Sequence, residues 1–432
     1  MTASVSLVEH APACSFRLPD AVGRALLDSK ILEQAVPDPY EQGMWRLRAG
    51  SKVGAVAITV PGGERITVRI APKVPVARLL FLLGYSRDPH GWRDGTVDLA
   101  DHSELLPAFA HAVERQTERA LRQGLLQGYR ATEESALVVR GRIREGDQAR
   151  RRFGLPLPVE VAYDEFTTDI AENRILRTAV DRLLRLPGVP RTVRRRLSHH
   201  RVRLADVTPV VRGREIPAWR PTRLNGRYHQ ALRLAQVVLD GSSGEHLPGG
   251  LRMDGFLFDM NTVYEDFVCV ALQEALRVHG GRSVLQTQDL YMDERAAVRL
   301  RPDFVWYGDS GAPHIVADAK YKARVRQGYP NEDLYQMLAY CTALRLPEGH
   351  LVYAKGSAPH TDHRVRHAGV ILHQHALDLD QGPNAVLADM RTLAQRMVAG
   401  GARASDQGIP GGARTVTRPL PHEEARRPVT PV

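Results

Sequence analysis

Apolar and polar positions change period along the chain in an order that is clearest after residue 260. Asn261–His279 carries Tyr264, Phe267, Val268, Ala271, Leu272 and Leu276 at helical spacing, which predicts a buried helix face. Ser283–Tyr291, Arg299–Trp306 and His314–Tyr321 follow as three predicted strands. Pro330 and Asn331 then supply start signals for a helix over Glu332–Leu344. His350–Ala354 and Gly369–His373 read as further strands, and Asn384–Val398 as a closing helix.

The first half of the chain is less regular. Residues 14–75 read as mostly strand with one early helix. Met44–Arg48, Val53–Val60 and Ile66–Ile70 alternate, with a turn predicted at Pro61-Gly62-Gly63-Glu64. Ala77–Tyr85 makes a short apolar helix, and Ser103–Tyr129 a long one. Strands are expected over Ser135–Ile143 and Val159–Tyr163, and helices over Asp169–Leu186, Pro190–Leu204 and His229–Leu239. Gly241-Ser242-Ser243-Gly244 and Pro248-Gly249-Gly250 then break the pattern and predict a domain boundary. The expected organisation is an α+β N-terminal region (1–130), a middle helical and β region (131–250), an α/β domain (251–399) and a tail (400–432). That tail is rich in Gly, Pro and Arg, poor in apolar residues, and expected to be disordered.

Composition narrows the class. With 432 residues, 43% hydrophobic and 25% charged, the chain has the make-up of a multi-domain globular protein. No apolar run approaches the roughly 18–20 residues a spanning helix needs, and no signal-peptide core follows the N-terminus, so a cytoplasmic location is expected. Cys14, Cys269 and Cys341 have no paired spacing, which points away from a disulfide framework or a cysteine zinc site. A net charge of +10 suits an anionic partner. Nearly all of the basic charge is Arg; the six lysines include Lys320.

That lysine lies in the segment with the most chemical content. Arg301-Pro302-Asp303 precedes Ala317-Asp318-Ala319-Lys320 on consecutive predicted strands. Residues two apart on a strand share a face, so Asp318 and Lys320 project together, and Asp303 joins them if the strands are neighbours. Converging carboxylates hold a hard cation such as Mg²⁺ or Mn²⁺, and an ammonium beside them orients water and offsets phosphate charge. This is equipment for phosphodiester cleavage. A lone D-x-K is usually a polar strand end. Other features have plainer readings. His360, Asp362, His363, His373 and His375 have spacings that suit a metal, yet loop polarity explains them more simply. Arg150–Arg152 and Arg194–Arg196 suit DNA phosphates and solvated faces equally. Tyr163-Asp164-Glu165 reads as a turn before a helix.

The order helix, strands with PD…D-x-K, helix, strand resembles the PD-(D/E)XK (restriction-endonuclease-like) nuclease fold. By that resemblance Asp303 and Asp318 are metal ligands, Lys320 assists the attacking water, and Glu265 on the preceding helix adds an acid to the metal. Gln336 and Tyr340 match the Q-x-x-x-Y pattern beside such sites, which would make Gln336 part of the catalytic set. Phe256–Val268, Val139–Ile143, Tyr163–Thr168, Asn173-Arg174-Ile175-Leu176 and Ile70-Ala71-Pro72-Lys73 together resemble the McrC family, the nuclease subunits of McrBC 5-methylcytosine-specific restriction systems. The resemblance implies a McrB-like AAA+ GTPase ring as partner, docked through the N-terminal region and stimulated by it, and modified double-stranded DNA as substrate. It implies no membrane association. No nucleotide is expected on this chain, which contains no G-x-x-x-x-G-K-[ST]. Two rival readings are a non-catalytic adaptor that only activates the ring, and a stand-alone basic nuclease or nucleic-acid binder.

Overall fold

The computed structural model describes residues 2–60, 63–91, 104–153, 155–211, 213–241, 244–247, 251–323, 331–355 and 360–406. The chain opens with β1 (Thr2–Val8), which the apolar pattern did not suggest, then β2 (Cys14–Arg17), α1 (Asp20–Asp28), β3 (Gln34–Pro37) and β4 (Met44–Arg48). Strands β2, β4 and β3 form a small antiparallel sheet that buries Trp45 and Leu47, the inward positions of the expected alternation. Next come β5 (Lys52–Thr59) and β6 (Arg65–Ala71). Six consecutive residues of β5 are buried because its sheet is covered on both faces, which replaces alternation with a continuous apolar run. The turn expected between β5 and β6 includes residues 61 and 62, outside the described residues.

Helix α2 (Val76–Arg87) packs Phe81 and Tyr85 into the core, and α3 (Leu105–Leu121) follows. The expected long helix thus stops at Leu121. Gly124, at φ +87°, reverses the chain, and Leu126 N–H donates to Tyr228 Oη at 2.9 Å, so the following residues turn towards another partner. They become β7 (Gly128–Ala136), which with β8 (Arg142–Ile143) flanks β9 (Val159–Thr167) in a three-stranded sheet; α4 (Glu145–Arg152) connects them. The expected single strand over Ser135–Ile143 is therefore divided between β7 and β8. Asp164 and Glu165 lie on β9 and not in a turn, and Glu165 pairs with Arg130 at 2.9 Å.

Helices α5 (Ala171–Arg185), α6 (Arg191–Arg203) and α7 (His229–Gly241) pack together beside α3. The Arg runs are used internally here: Arg194 donates to the Leu184 and Leu186 carbonyls, Arg196 reaches Glu114 at 3.5 Å, and Arg151 and Arg152 pair with buried Glu160.

The predicted boundary holds a hairpin, β10 (Gly244–Leu247) and β11 (Leu251–Asp259), with residues 242–243 and 248–250 outside the described set. β11 pairs with β5, giving a sheet in the order β1-β6-β5-β11-β10 that draws strands from both sides of residue 250. Gly54 allows the pairing: its φ is +130°, and a Cβ there would lie 2.0 Å from the Phe256 carbonyl oxygen. β11 leads straight into α8 (Met260–Leu276), capped by the Asp259 side chain accepting from Asn261 N–H at 3.0 Å.

After α8 come β12 (Arg282–Leu285), a short pair β13 (Leu290–Tyr291) and β14 (Arg299–Leu300), β15 (Phe304–Tyr307), β16 (Pro313–Ala323), α9 (Asn331–Leu344), β17 (Glu348–Lys355), β18 (His360–Arg364), β19 (Ile371–Ala376) and α10 (Pro383–Asp406). The second large sheet has the order β12-β15-β16-β17-β19-β18, mixed in direction, with β16, β17 and β19 parallel. α8 buries all six residues of its expected stripe, with Phe267 against Phe81 at 5.3 Å between ring centroids. One core runs from Val5 to Met397; a smaller one, including Val305, Val316, Met337 and Leu351, lies under α9. α10 continues past residue 400, where a tail was expected. A Cβ on Gly400 would lie 2.3 Å from Glu348 Oε2, so the glycine lets the helix approach β17. Residues 407–432 lie outside the described set. Among the described residues no helix is long and apolar enough to cross a membrane.

One buried acid ties the two large sheets together. Glu9, at the end of β1, is fully buried and accepts from Lys73 N–H at 3.1 Å and from Tyr321 Oη at 3.3 Å. Burial pushes its carboxyl up to about 7, against which these two hydrogen bonds act. The folded form therefore holds a proton that the unfolded chain releases near the ordinary carboxyl value of 4.5. Stability from this group is greatest below that value and falls as pH rises towards about 7. Thermal melts between pH 4.5 and 7.5 are expected to show this decline, and Glu9→Gln to flatten it.

Candidate active site

The site forms where β15 enters the second sheet beside the middle of β16. Phe304 pairs with Ala317 and Val305 with Val316, so Asp303, just before β15, comes level with Asp318 and Ala319. Asp303 Oδ2 accepts from Ala319 N–H at 2.8 Å, which fixes the carboxylate against the neighbouring strand. The Asp303 carbonyl is held as well, by Gln286 N–H at 2.8 Å and the Cys269 thiol at 3.3 Å. Asp318 is 2% exposed and ion-paired with Lys320, two residues on and on the same face. Lys320 Nζ also donates to Gln336 Oε1 of α9 at 3.0 Å. Tyr340, one helical turn beyond Gln336, donates to the Arg301 carbonyl at 3.0 Å and so anchors the segment that delivers Asp303.

Electrostatics bind these groups into one unit. Burial and then the Asp318 charge push the Asp303 carboxyl up to about 8, with the Ala319 N–H opposing. Glu265, half-buried on α8, is also raised, first by burial and then by Asp318. Burial alone would lower the Lys320 ammonium, but Asp318 and Asp303 outweigh it and hold it above its ordinary value. With its acids all ionised the site would carry more negative charge than one lysine offsets, so Asp303 keeps its proton up to about pH 8. The site's donors are carboxylate oxygens, the set a hard divalent cation takes, and such a cation would relieve the crowding at Asp303. The structure brings Asp303, Asp318, Lys320 and Gln336 together; Glu265 faces them from α8, at a range where its charge is felt. Among the described residues, only His360, Asp362 and His373 place three ligand atoms all within 4.8 Å of one another, so the three acids form a looser set.

Two supporting residues escaped the sequence reading. Cys269 and Cys341 are both buried. Cys269 also contacts the Asp303 backbone, and its thiol is raised well above its usual value, first by burial and then by Asp303. Asp333 is buried on α9, where Tyr353 Oη donates to it at 2.9 Å, and its charge supports Lys320. A thiol in an apolar helix and an acid in a helix's first turn carry no local signal of a site.

Residues 47–354 match the family described as McrBC 5-methylcytosine restriction system component. The chain belongs to this family. The McrC resemblance read from the sequence is thereby borne out at family level. Among solved structures, a half-complex from the tetradecameric assembly of Thermococcus gammatolerans McrB AAA+ hexamers with bound McrC aligns at TM-score 0.56 and 17% identity, covering 91% of this chain and 100% of the other. At that identity the likeness speaks for the fold alone. A chain of the Thermococcus gammatolerans McrBC complex aligns at TM-score 0.38 and 19% identity, over 63% of this chain and 88% of that one. No curated protein matches.

If the carboxylates share excess charge, Asp303→Asn is expected to stabilise the metal-free protein at pH 9, where the wild-type carboxyl is ionised, by about 1–3 kcal/mol. Added magnesium is expected to raise the wild-type melting temperature, and the same change to remove most of that rise. Urea unfolding and thermal melts with and without magnesium measure both.

Proposed function

We propose that this chain is the McrC-type, DNA-cleaving subunit of a modification-dependent restriction complex, with a PD-(D/E)XK nuclease site formed by Asp303, Asp318 and Lys320. The observation that carries the reading is the contact set around Lys320, an ammonium paired with Asp318 and hydrogen-bonded to Gln336, with Asp303 fixed one strand away. Magnesium or manganese bound there would supply Lewis-acid activation of the phosphodiester. Asp303 and Asp318 would hold it, with Glu265 completing the shell. Lys320 would orient the attacking water and offset charge on the phosphate, with its Nζ hydrogen-bonded to Gln336. Modified double-stranded DNA is the proposed substrate.

A McrB-like AAA+ GTPase ring is the proposed partner, supported by family membership and by the fold shared with a chain of the Thermococcus assembly. The surface offers a place for it. The β7-β9-β8 sheet and its connections expose Leu137, Val138, Phe153 and Phe166, and Tyr129 lies against Phe166 at 5.2 Å. Tyr129 and Phe166 lie at one end of this sheet and Leu137 and Val138 just past the other, and exposed apolar side chains of this kind suit a protein contact. Arg140 stacks over the Tyr163 ring at 5.2 Å in the same unit. This surface starts where the expected docking region, 1–130, ends, so docking is proposed through residues 128–167.

In the assembled complex, Asp318→Ala and Lys320→Ala are each expected to lower DNA cleavage by about 10²-fold or more while leaving stimulation of the partner's GTPase intact. Cleavage at the wild-type rate in either variant would remove the nuclease assignment and leave an adaptor. Leu137→Asp with Val138→Asp should do the reverse, weakening ring association by at least about tenfold in sedimentation or light scattering. Metal-dependent nicking by the chain alone, undiminished in that double variant, would favour a stand-alone nuclease.

A further inference from the structure

The histidines expected to be loop polarity lie on strands of the second sheet. β18 pairs with β19 so that Asp362 is opposite His373 and His360 opposite His375; β19 pairs with β17 so that His373 is opposite His350. Opposite residues share a face, so these five side chains line one surface of three adjacent strands. Asp318 pairs with Leu351, the residue after His350, so this surface is the reverse of the one carrying Asp318 and Lys320.

Ligand atoms of His360, Asp362 and His373 all lie within 4.8 Å of one another. His360 Nε2 and His373 Nδ1 approach the same oxygen, Asp362 Oδ1, at 2.6 and 2.7 Å. The other nitrogen of each ring also has a polar neighbour. His373 Nε2 is 3.4 Å from Glu348 Oε2, and His360 Nδ1 is 3.1 Å from His375 Nδ1. His375 in turn meets buried His350, Nε2 to Nδ1, at 3.2 Å. Histidine ligands of metals characteristically engage their second nitrogen in this way, with a carboxylate or another acceptor fixing ring and tautomer. Helix α10 lies behind the cluster; its Gly400 closes on Glu348, and its Arg396 is the cation whose field reaches His375.

We propose that His360, Asp362 and His373 form a second metal site, distinct from the carboxylate centre, that takes a divalent transition ion of the zinc class, with Glu348 and His375 as positioning residues. Two imidazoles and one carboxylate suit zinc and its neighbours, whereas magnesium favours oxygen alone. The ion would bridge β18, the outermost strand of the sheet, to β19, and so fasten an edge that otherwise rests on its backbone ladder. Asp362 is half-exposed at 53%, which leaves an open side for water or an external ligand. The proposal does not rest on the nuclease reading.

The test uses the full chain, stripped with chelator and titrated with zinc chloride by calorimetry, with metal content measured after desalting. One tightly held equivalent is expected. His360→Ala combined with Asp362→Ala should weaken it by at least about 100-fold, and Glu348→Gln by about 10- to 100-fold. Asp303→Asn combined with Asp318→Asn should leave it in place. Loss of the zinc in that acid variant, or its persistence without His360 and Asp362, would overturn the proposal. So would the absence of a stoichiometric ion. Cobalt chloride on the wild type gives an answer that needs no variant. Intense visible bands of a low-coordinate, imidazole-bearing ion, undisplaced by excess magnesium, support the site. The weak bands of wholly oxygen-coordinated cobalt reject it.

Discussion

Two carboxylates held on neighbouring strands in a buried setting, with one ammonium between solvent and Asp318, set the terms for the second half of this protein. Asp303 cannot move away from Asp318, because its side chain is bound to the Ala319 N–H and its carbonyl to Gln286 and Cys269. Lys320 cannot relax into solvent without giving up both Asp318 and Gln336. Water would screen such charges; partial burial does not, so Asp303 holds a proton up to about pH 8, in the place a cation would take. β15, β16 and α9 are the scaffold that holds this arrangement, with Tyr340 bracing the Arg301 carbonyl behind it.

That scaffold is continuous with the N-terminal half. β11 is the outer partner of β5 and then becomes α8, the helix on which the second sheet rests and from which Glu265 faces the acids. Phe256 and Phe258 pack on Phe109 of α3, and Phe267 on Phe81 of α2, so aromatic contacts carry one core across the expected boundary. Glu9 adds a polar tie to Tyr321, one residue beyond Lys320. A movement of the first sheet would thus reach the strand bearing the site by two routes. The β7-β9-β8 sheet buries Val159 and Val161 but leaves Tyr129 and Phe166 exposed, where a partner would cover them.

The chain's own order specified a good deal. The stripe on α8, the alternation of β4, and the shared face of Asp318 and Lys320 depend only on local period, which each residue expresses without reference to distant neighbours. The same holds for Gln336 and Tyr340, one turn apart on α9. Family membership was legible too, because blocks of sequence in order carry it.

Long-range pairing was beyond the reach of such patterns. Whether residues 128–136 continue a helix or form β7 turned on Gly124 and on a partner strand some thirty residues away. Gly241 to Gly250 looked like a linker because glycine and proline break both periods; the assembled sheet made part of it an edge hairpin. The histidines at 360, 373 and 375 looked unremarkable singly, and only the register of β17, β19 and β18 set them in one row. Sequence by itself determined which residues could do chemistry and which faces would be buried, since periodicity is a local property. Tertiary structure decided which of them meet, since strand register and close backbone approach depend on segments that the sequence holds far apart.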